Sequence, residues 1–305
     1  MSKKRQRGQN VETSPASLDL DECPNPIAKN TSGLPIFPAE LLLEIISYFP
    51  RPRDPGLNDT SHSRVLPVVE AEEHFAWREV IFALSQTCKN LRLIFRPYLW
   101  RRIEVWEGVV VQRFGKTWTP RLAVEKEHNL ELVRQLETVT VRDPALAEYV
   151  QIVNVDVARH SDKPVLLELA RCLHLFPNLR IVKLRILRND SQSTGIPKML
   201  DKAFSQYSYP QVSTAIISKW AYPFLSSCPN LQSINWMDIT RYSSGFWKHR
   251  PYAVSRLQLC RQLKSLAFHA EDREWLADVV KGLPNLHISS CIAEVLFLFI
   301  ISSLA

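Results

Sequence analysis

The strongest constraint on the fold is a short apolar pattern that returns along the C-terminal two-thirds of the chain: an apolar residue, two others, a second apolar residue, one other, and a third. It occurs at Trp100, Ile103 and Val105, at Leu136, Val139 and Val141, and at Val150, Val153 and Val155. It occurs again at Leu179, Val182 and Leu184, at Leu231, Ile234 and Trp236, and at Leu263, Leu266 and Phe268. The alternating pair that ends each copy suits a short strand with one face buried. The tripeptide Pro-Asn-Leu stands at 177–179, 229–231 and 284–286, following amphipathic segments at 164–176, 215–228 and 275–283. Helix, turn and strand therefore recur in one order. A unit this short cannot bury its apolar face alone and must stack on its neighbours.

This order resembles that of a leucine-rich repeat. The spacing is irregular: Leu179 and Leu231 are 52 residues apart, and Leu231 and Leu263 are 32 apart. A repeat of this kind usually runs to about 20–29 residues. The resemblance thus implies a degenerate solenoid over 107–305, its strands forming a parallel sheet along one edge backed by helices, with insertions at 189–210 and 241–251. Phe246, Trp247 and Tyr252, in or beside the second insertion, are candidates for contact with a protein target, because aromatic residues dominate interface hot spots. The alternative for the same residues is the core of a long repeat.

Ahead of this region lies a stretch of helical character. Leu41, Leu42, Ile45, Ile46 and Phe49 fall on one face of a helix that Pro38 opens, with Glu40 in its first turn, and Pro50 stops. Leu84, Cys88, Leu91 and Phe95 form a second stripe that ends before Pro97, and Leu99-Trp100 follows. Residues 50–77, with Pro52, Pro55, Gly56 and Pro67, read as an inserted loop. The run from Phe37 to Phe49 resembles the opening of an F-box, whose pattern is Leu-Pro-x-Glu-Leu-Leu followed by an Ile-Leu pair. Ser85-Gln-Thr-Cys-Lys-Asn-Leu91 resembles its middle segment, and Leu99-Trp100 its closing Leu-Trp. Phe37 stands where Leu is usual and Leu91 where an aromatic is common, apolar exchanges that a helical core absorbs.

The resemblance implies a helical domain over 33–106 that docks on a Skp-family adaptor, itself held in a cullin–RING ubiquitin ligase. The adaptor-facing candidates are Pro38, Leu41, Leu42, Ile45 and Ile46, with Leu84, Cys88 and Leu91 closing the same apolar surface. The repeat region would then present a protein target, as it does behind the F-box of many fungal family members. The fold class expected is α/β, α+β overall: a small helical domain, then an irregular solenoid. A repeat-type interaction scaffold without a ligase role is the alternative, and a nucleic-acid-binding module a remoter one.

Composition bears on those alternatives. The 305 residues carry a formal charge of +7, of which Lys3, Lys4, Arg5 and Arg7 supply four, leaving +3 on the rest. A nucleic-acid module needs a clustered basic face with stacking aromatics on its folded part. Residues 1–32 are polar and Pro-rich without apolar periodicity and read as a disordered tail, in which Lys3–Arg7 is a candidate nuclear-import signal. A cytoplasmic or nuclear location follows from the missing apolar stretch after the basic N-terminus. The apolar end at 292–305 is too short for a spanning helix of about 20 residues. It reads as a buried terminal element, a tail anchor or an aberrant end.

No catalytic constellation emerges. The glycines are too dispersed for a dinucleotide loop or a hydrolase elbow, and Gly115-Lys116-Thr117 lacks the glycine that a phosphate loop requires at position 110, where Val stands. The six cysteines form no Cys-x-x-Cys and the histidines no His-Glu-x-x-His pair, so neither a metal site nor a disulfide scaffold is expected. The chain reads as a non-enzyme without cofactor or metal.

Overall fold

The structure is a computed structural model that describes residues 37–49, 51–55, 66–106, 121–187, 195–237, 250–268 and 287–288. Helices α1 (Ala39–Ser47), α2 (Leu66–Thr87) and α3 (Lys89–Trp100) lead into strand β1 (Arg102–Val105). Helix α4 (Arg121–Glu137) continues into a π turn, Thr138–Arg142, and a 3-10 turn, Pro144–Tyr149, before β2 (Ile152–Ala158). Then α5 (Asp162–His174), β3 (Ile181–Leu187), α6 (Ile196–Phe204) and β4 (Thr214–Ser218) alternate. A 3-10 turn, Tyr222–Ser227, joins β4 to β5 (Ser233–Met237), and α7 (Arg250–Gln258) precedes β6 (Ser265–Phe268). β7 is His287–Ile288. These strands form one parallel sheet whose spatial order is their sequence order. The protein is a mixed helix and strand structure of α/β type.

Pairing register explains the apolar pattern. Ile103, Val153, Val182, Ala215, Ile234 and Leu266 lie side by side across the sheet, as do Val105, Val155, Leu184, Ile217 and Trp236. All are buried in the main core under α4, α5, α6 and the 3-10 turns. Because side chains alternate along a strand, the residues between them face the other side. On β2 that other side is buried too: Ile152, Asn154 and Asp156 all have little exposure.

The turns entering the strands repeat as strictly as the strands. Leu179 N–H donates to Phe176 O, Leu231 to Cys228 O and Leu263 to Cys260 O, each closing a tight turn. The next residue but one starts the strand. Asn178 Nδ2 donates to Glu148 O at 2.7 Å and Asn230 Nδ2 to Pro210 O at 2.8 Å, so the Asn of Pro-Asn-Leu ties its turn to the carbonyl of the turn before. The leucine beside it is fully buried. The third Pro-Asn-Leu, the segment 275–283 and the C-terminal run 292–305 lie outside the described residues.

Several expectations need correction. Residues 66–77 belong to α2 and are not loop. Among residues 71–77 the buried positions are Ala71, His74 and Trp77, of which only Trp77 carries a strong apolar signal. The stripe through Cys88 is not one helix, because Cys88 adopts φ −159° and ψ 170° and its Sγ accepts from Leu91 N–H as the N-cap of α3. That helix runs past Pro97 to Trp100. The triplet Leu136, Val139 and Val141 is no strand: the chain is helical and then π-turned there, with Thr138 and Thr140 hydroxyls donating to carbonyls four residues back. Within 189–210, read as an insertion, residues 196–204 form α6, which buries Leu200 and Phe204 in the core. The segment 215–228 is a strand and a 3-10 turn, not a helix. Val212, Ala215 and Ile217 carry the recurring apolar pattern and divide the 52-residue interval between Leu179 and Leu231.

Leu184→Ala should lower stability by about 2–5 kcal/mol, since Leu184 is fully buried and the sheet leaves little room to collapse around the cavity. Asn178→Ala should cost about 1 kcal/mol through the carbonyl it leaves without its donor. Arg159→Ala, at an exposed turn, should stay within about 0.5 kcal/mol. Guanidinium unfolding of the three variants distinguishes these outcomes.

Candidate functional site

Helix α1 has apolar residues on more than one side. Pro38 is its N-cap rather than its first helical residue, and its carbonyl accepts from Leu41 and Leu42 N–H at 3.1 and 3.3 Å. Leu42 and Ile46, one turn apart, are 2% and 3% exposed and pack with Trp77 and Ile81 of α2 and Leu91 and Phe95 of α3. Leu84 and Cys88 close the edge of this cluster, half-buried. Leu41 and Ile45 point the other way, 51% and 40% exposed. Phe37 and Phe49 stand four residues to either side of them and are also exposed, giving a ridge at helical spacing.

The eight residues grouped by sequence as one adaptor-facing set therefore separate. Leu42, Ile46 and Leu91 hold the three helices together, Leu84 and Cys88 sit at the margin, and Pro38, Leu41 and Ile45 face solvent. Phe82 on α2 and Leu93 on α3 are exposed apolar residues outside that set. Both occupy ordinary helical positions, and nothing in the sequence separates them from core residues. Among the target-facing candidates, Tyr252 lies on α7 at 64% exposure, while Phe246 and Trp247 are outside the described residues.

A buried charged network joins α2 to β1, and no sequence pattern pointed to it. The Glu104 carboxylate accepts from Trp106 Nε1–H at 3.1 Å and from Arg102 through a close contact with Oε1. His74 Nδ1 stands 3.1 Å from Glu104 Oε2, off the line a hydrogen bond needs. Arg102 also donates to the carbonyls of Pro52 and Arg53 and pairs with Asp54, which takes Arg101 as well. Segment 51–55 is thereby pinned to the junction of α3 and β1.

Burial drives the His74 pKa below the ordinary 6.5, and Arg78 and Arg102 add to this against the pull of Glu104. Burial would raise the Glu104 carboxyl, but His74, Arg102 and the N–H donors of Trp106 and Arg102 outweigh it and hold it below its ordinary value. A small cleft beside the network is lined by Arg51, Pro52, Asp54, Trp77, Tyr98, Arg101 and Arg102. It has room for about one water molecule, too little for a metabolite.

Nucleophilic chemistry finds no support in the buried thiols. Burial pushes Cys172 and Cys260 up to about 12 and Cys228 upward as well, which keeps all three as unreactive thiols at neutral pH. Among the described residues no group of three His, Cys, Asp or Glu is placed to hold a metal ion. No helix among them is long and apolar enough to cross a membrane.

No family model matches the chain, and neither the curated proteins nor the solved structures yield a match.

The folded state resists protonation at His74 while the unfolded chain accepts it at about 6.5. The stability held here is therefore complete above pH 6.5 and declines as pH falls toward the depressed folded value; Glu104 adds a further loss below 4.5. Urea midpoints measured between pH 7.5 and 5 should fall for the wild type. They should fall less for His74→Gln, which removes the titrating group.

Proposed function

We propose that this chain is a non-catalytic F-box-type receptor of a cullin–RING ubiquitin ligase, docking on a Skp-family adaptor through α1 and presenting a protein target on a leucine-rich-repeat-like body. The observation that carries this reading is the divided helix α1. Leu42 and Ile46 lock it onto α2 and α3, while Leu41 and Ile45 leave an apolar ridge uncovered. An exposed apolar ridge on a helix fixed from behind is a surface for helix-in-groove recognition. The three sequence blocks resembling an F-box coincide with α1, the junction of α2 with α3, and the end of α3.

The sheet supports the second half of the reading. Its strands follow sequence order and its turns repeat the tie between Asn178 or Asn230 and the preceding carbonyl, as a stack of short units would. In this role the protein supplies proximity: it raises the effective concentration of a target lysine near the ubiquitin thioester held by other subunits. A repeat-type scaffold without a ligase role shares the sheet but leaves the ridge on α1 without a use.

The ridge also identifies the test. Leu41→Asp with Ile45→Asp should abolish co-purification with a Skp-family adaptor while leaving the melting profile within a few degrees of the wild type, because both side chains are substantially exposed. Leu42→Asp should instead unfold the helical region. Retained adaptor binding by the Leu41/Ile45 variant would overturn the proposal.

A further inference from the structure

The residues that immediately precede successive strands form a row of their own. Gln151 N–H donates to Arg101 O, Arg180 N–H to Gln151 O, Ser213 N–H to Arg180 O, Gln232 N–H to Ser213 O and Lys264 N–H to Gln232 O. Six consecutive positions along the N-terminal edge of the sheet are thus Arg101, Gln151, Arg180, Ser213, Gln232 and Lys264. The row contains three cations and no carboxylate. Arg180, Gln232 and Lys264 are exposed, and Arg101, Gln151 and Ser213 partly so.

We infer that this edge binds an extended, acidic segment of a partner protein, its acidic side chains meeting Arg101, Arg180 and Lys264 and its backbone meeting the side-chain amides of Gln151 and Gln232. At about 4.8 Å per strand, the row runs about 24 Å, the length of about seven extended residues. Between the cations stand the side-chain amides of Gln151 and Gln232. Arg180 donates to Gln151 Oε1 at 2.8 Å, which fixes the Gln151 amide and leaves its N–H groups as further donors. Cations are about 10 and 14 Å apart, separated by two and three strands, whereas a polynucleotide site would call for a denser basic track interleaved with stacking aromatics.

Charge at the Arg101 end is in excess. Asp54 pairs with both Arg101 and Arg102, and Glu104 takes Arg102, while Arg51 lines the same cleft as these two arginines. Arg101 Nε is a buried donor with no acceptor among the described residues. Burial lowers the proton affinity of Arg101, with Arg51, Arg102 and Arg180 adding to it against Asp54, so an incoming anion relieves crowding among like charges.

This deepens the receptor reading by naming the chemistry of the target, and its test is independent of adaptor binding. The full chain is titrated by fluorescence anisotropy against a labelled twelve-residue peptide of alternating glutamate and serine. Parallel titrations use its phosphoserine counterpart, its glutamine counterpart and a single-stranded oligonucleotide of equal charge. The acidic peptides should bind, more weakly as salt rises, and the neutral one should not. Tighter binding of the phosphoserine peptide identifies phosphate as the anion, and equal binding identifies carboxylate.

Arg180→Glu with Lys264→Glu should weaken acidic-peptide binding by about tenfold or more. Lys198→Glu with Lys202→Glu, the same charge change on exposed α6 positions, should change it by less than about twofold. If the reversed pair melts early, Arg180→Gln with Lys264→Gln takes its place. The inference is overturned if no acidic peptide binds, if both charge-reversed pairs weaken binding equally, if the neutral peptide binds as well, or if the oligonucleotide binds more tightly. Adaptor capture should be unchanged in all these variants, and its failure in the wild type would remove the receptor role while leaving the peptide result standing.

Discussion

Everything in the C-terminal body depends on the side-by-side stacking of short parallel strands. A strand of four to seven residues buries one face only if a neighbour continues that face, and here Ile103, Val153, Val182, Ala215, Ile234 and Leu266 make one continuous row. The row works because each turn places its strand at the same height. Tight turns ending in Leu179, Leu231 and Leu263 set that height, and the Asn178 and Asn230 amides hold one turn to the last. Parallel strands need crossovers, so helices or 3-10 turns cover the apolar side between them.

The same stacking brings chemistry together at the edges. Residues before successive strands become neighbours although they lie far apart in sequence, which is how Arg101, Arg180 and Lys264 share one border. At the N-terminal end, β1 continues the sheet directly from α3, and the Glu104 network ties α2 to that strand. A buried carboxylate among His74, Arg102 and Trp106 costs desolvation, and it persists because several donors converge on it. The helical region and the sheet are thus joined through polar contacts as well as through the chain, and α1 is held to α2 and α3 by a separate apolar cluster.

Much of this was legible. Strands β1, β2, β3, β5 and β6 fall where the apolar pattern repeats, and α5 where an amphipathic run precedes Pro-Asn-Leu. Strand β4 carried the same pattern at Val212, Ala215 and Ile217, but its small middle residue and the apolar 3-10 turn after it masked the signal. Part of α2 was hidden because its buried positions at 71 and 74 are Ala and His, neither of which looks like core without its partner. Thr138–Arg142 looked like strand because its residues are β-branched. Hydroxyl bonds to the preceding turn and the burial of Leu136 and Val139 override that propensity.

The sequence by itself determined the local grammar: which short runs pair as strands, where turns fall, and which helices have an apolar side. Only the tertiary structure decided how those surfaces are used. Leu41, Leu42, Ile45 and Ile46 are equally apolar and within two turns, and packing against Trp77 and Phe95 is what turns two inward and leaves two outward. The Glu104 network and the cationic edge were beyond reach for a related reason. His74 is 30 residues from Glu104, and Arg101, Arg180 and Lys264 are farther apart still; charge pairing depends on separation in space, which helix packing fixes for the first and strand register for the second.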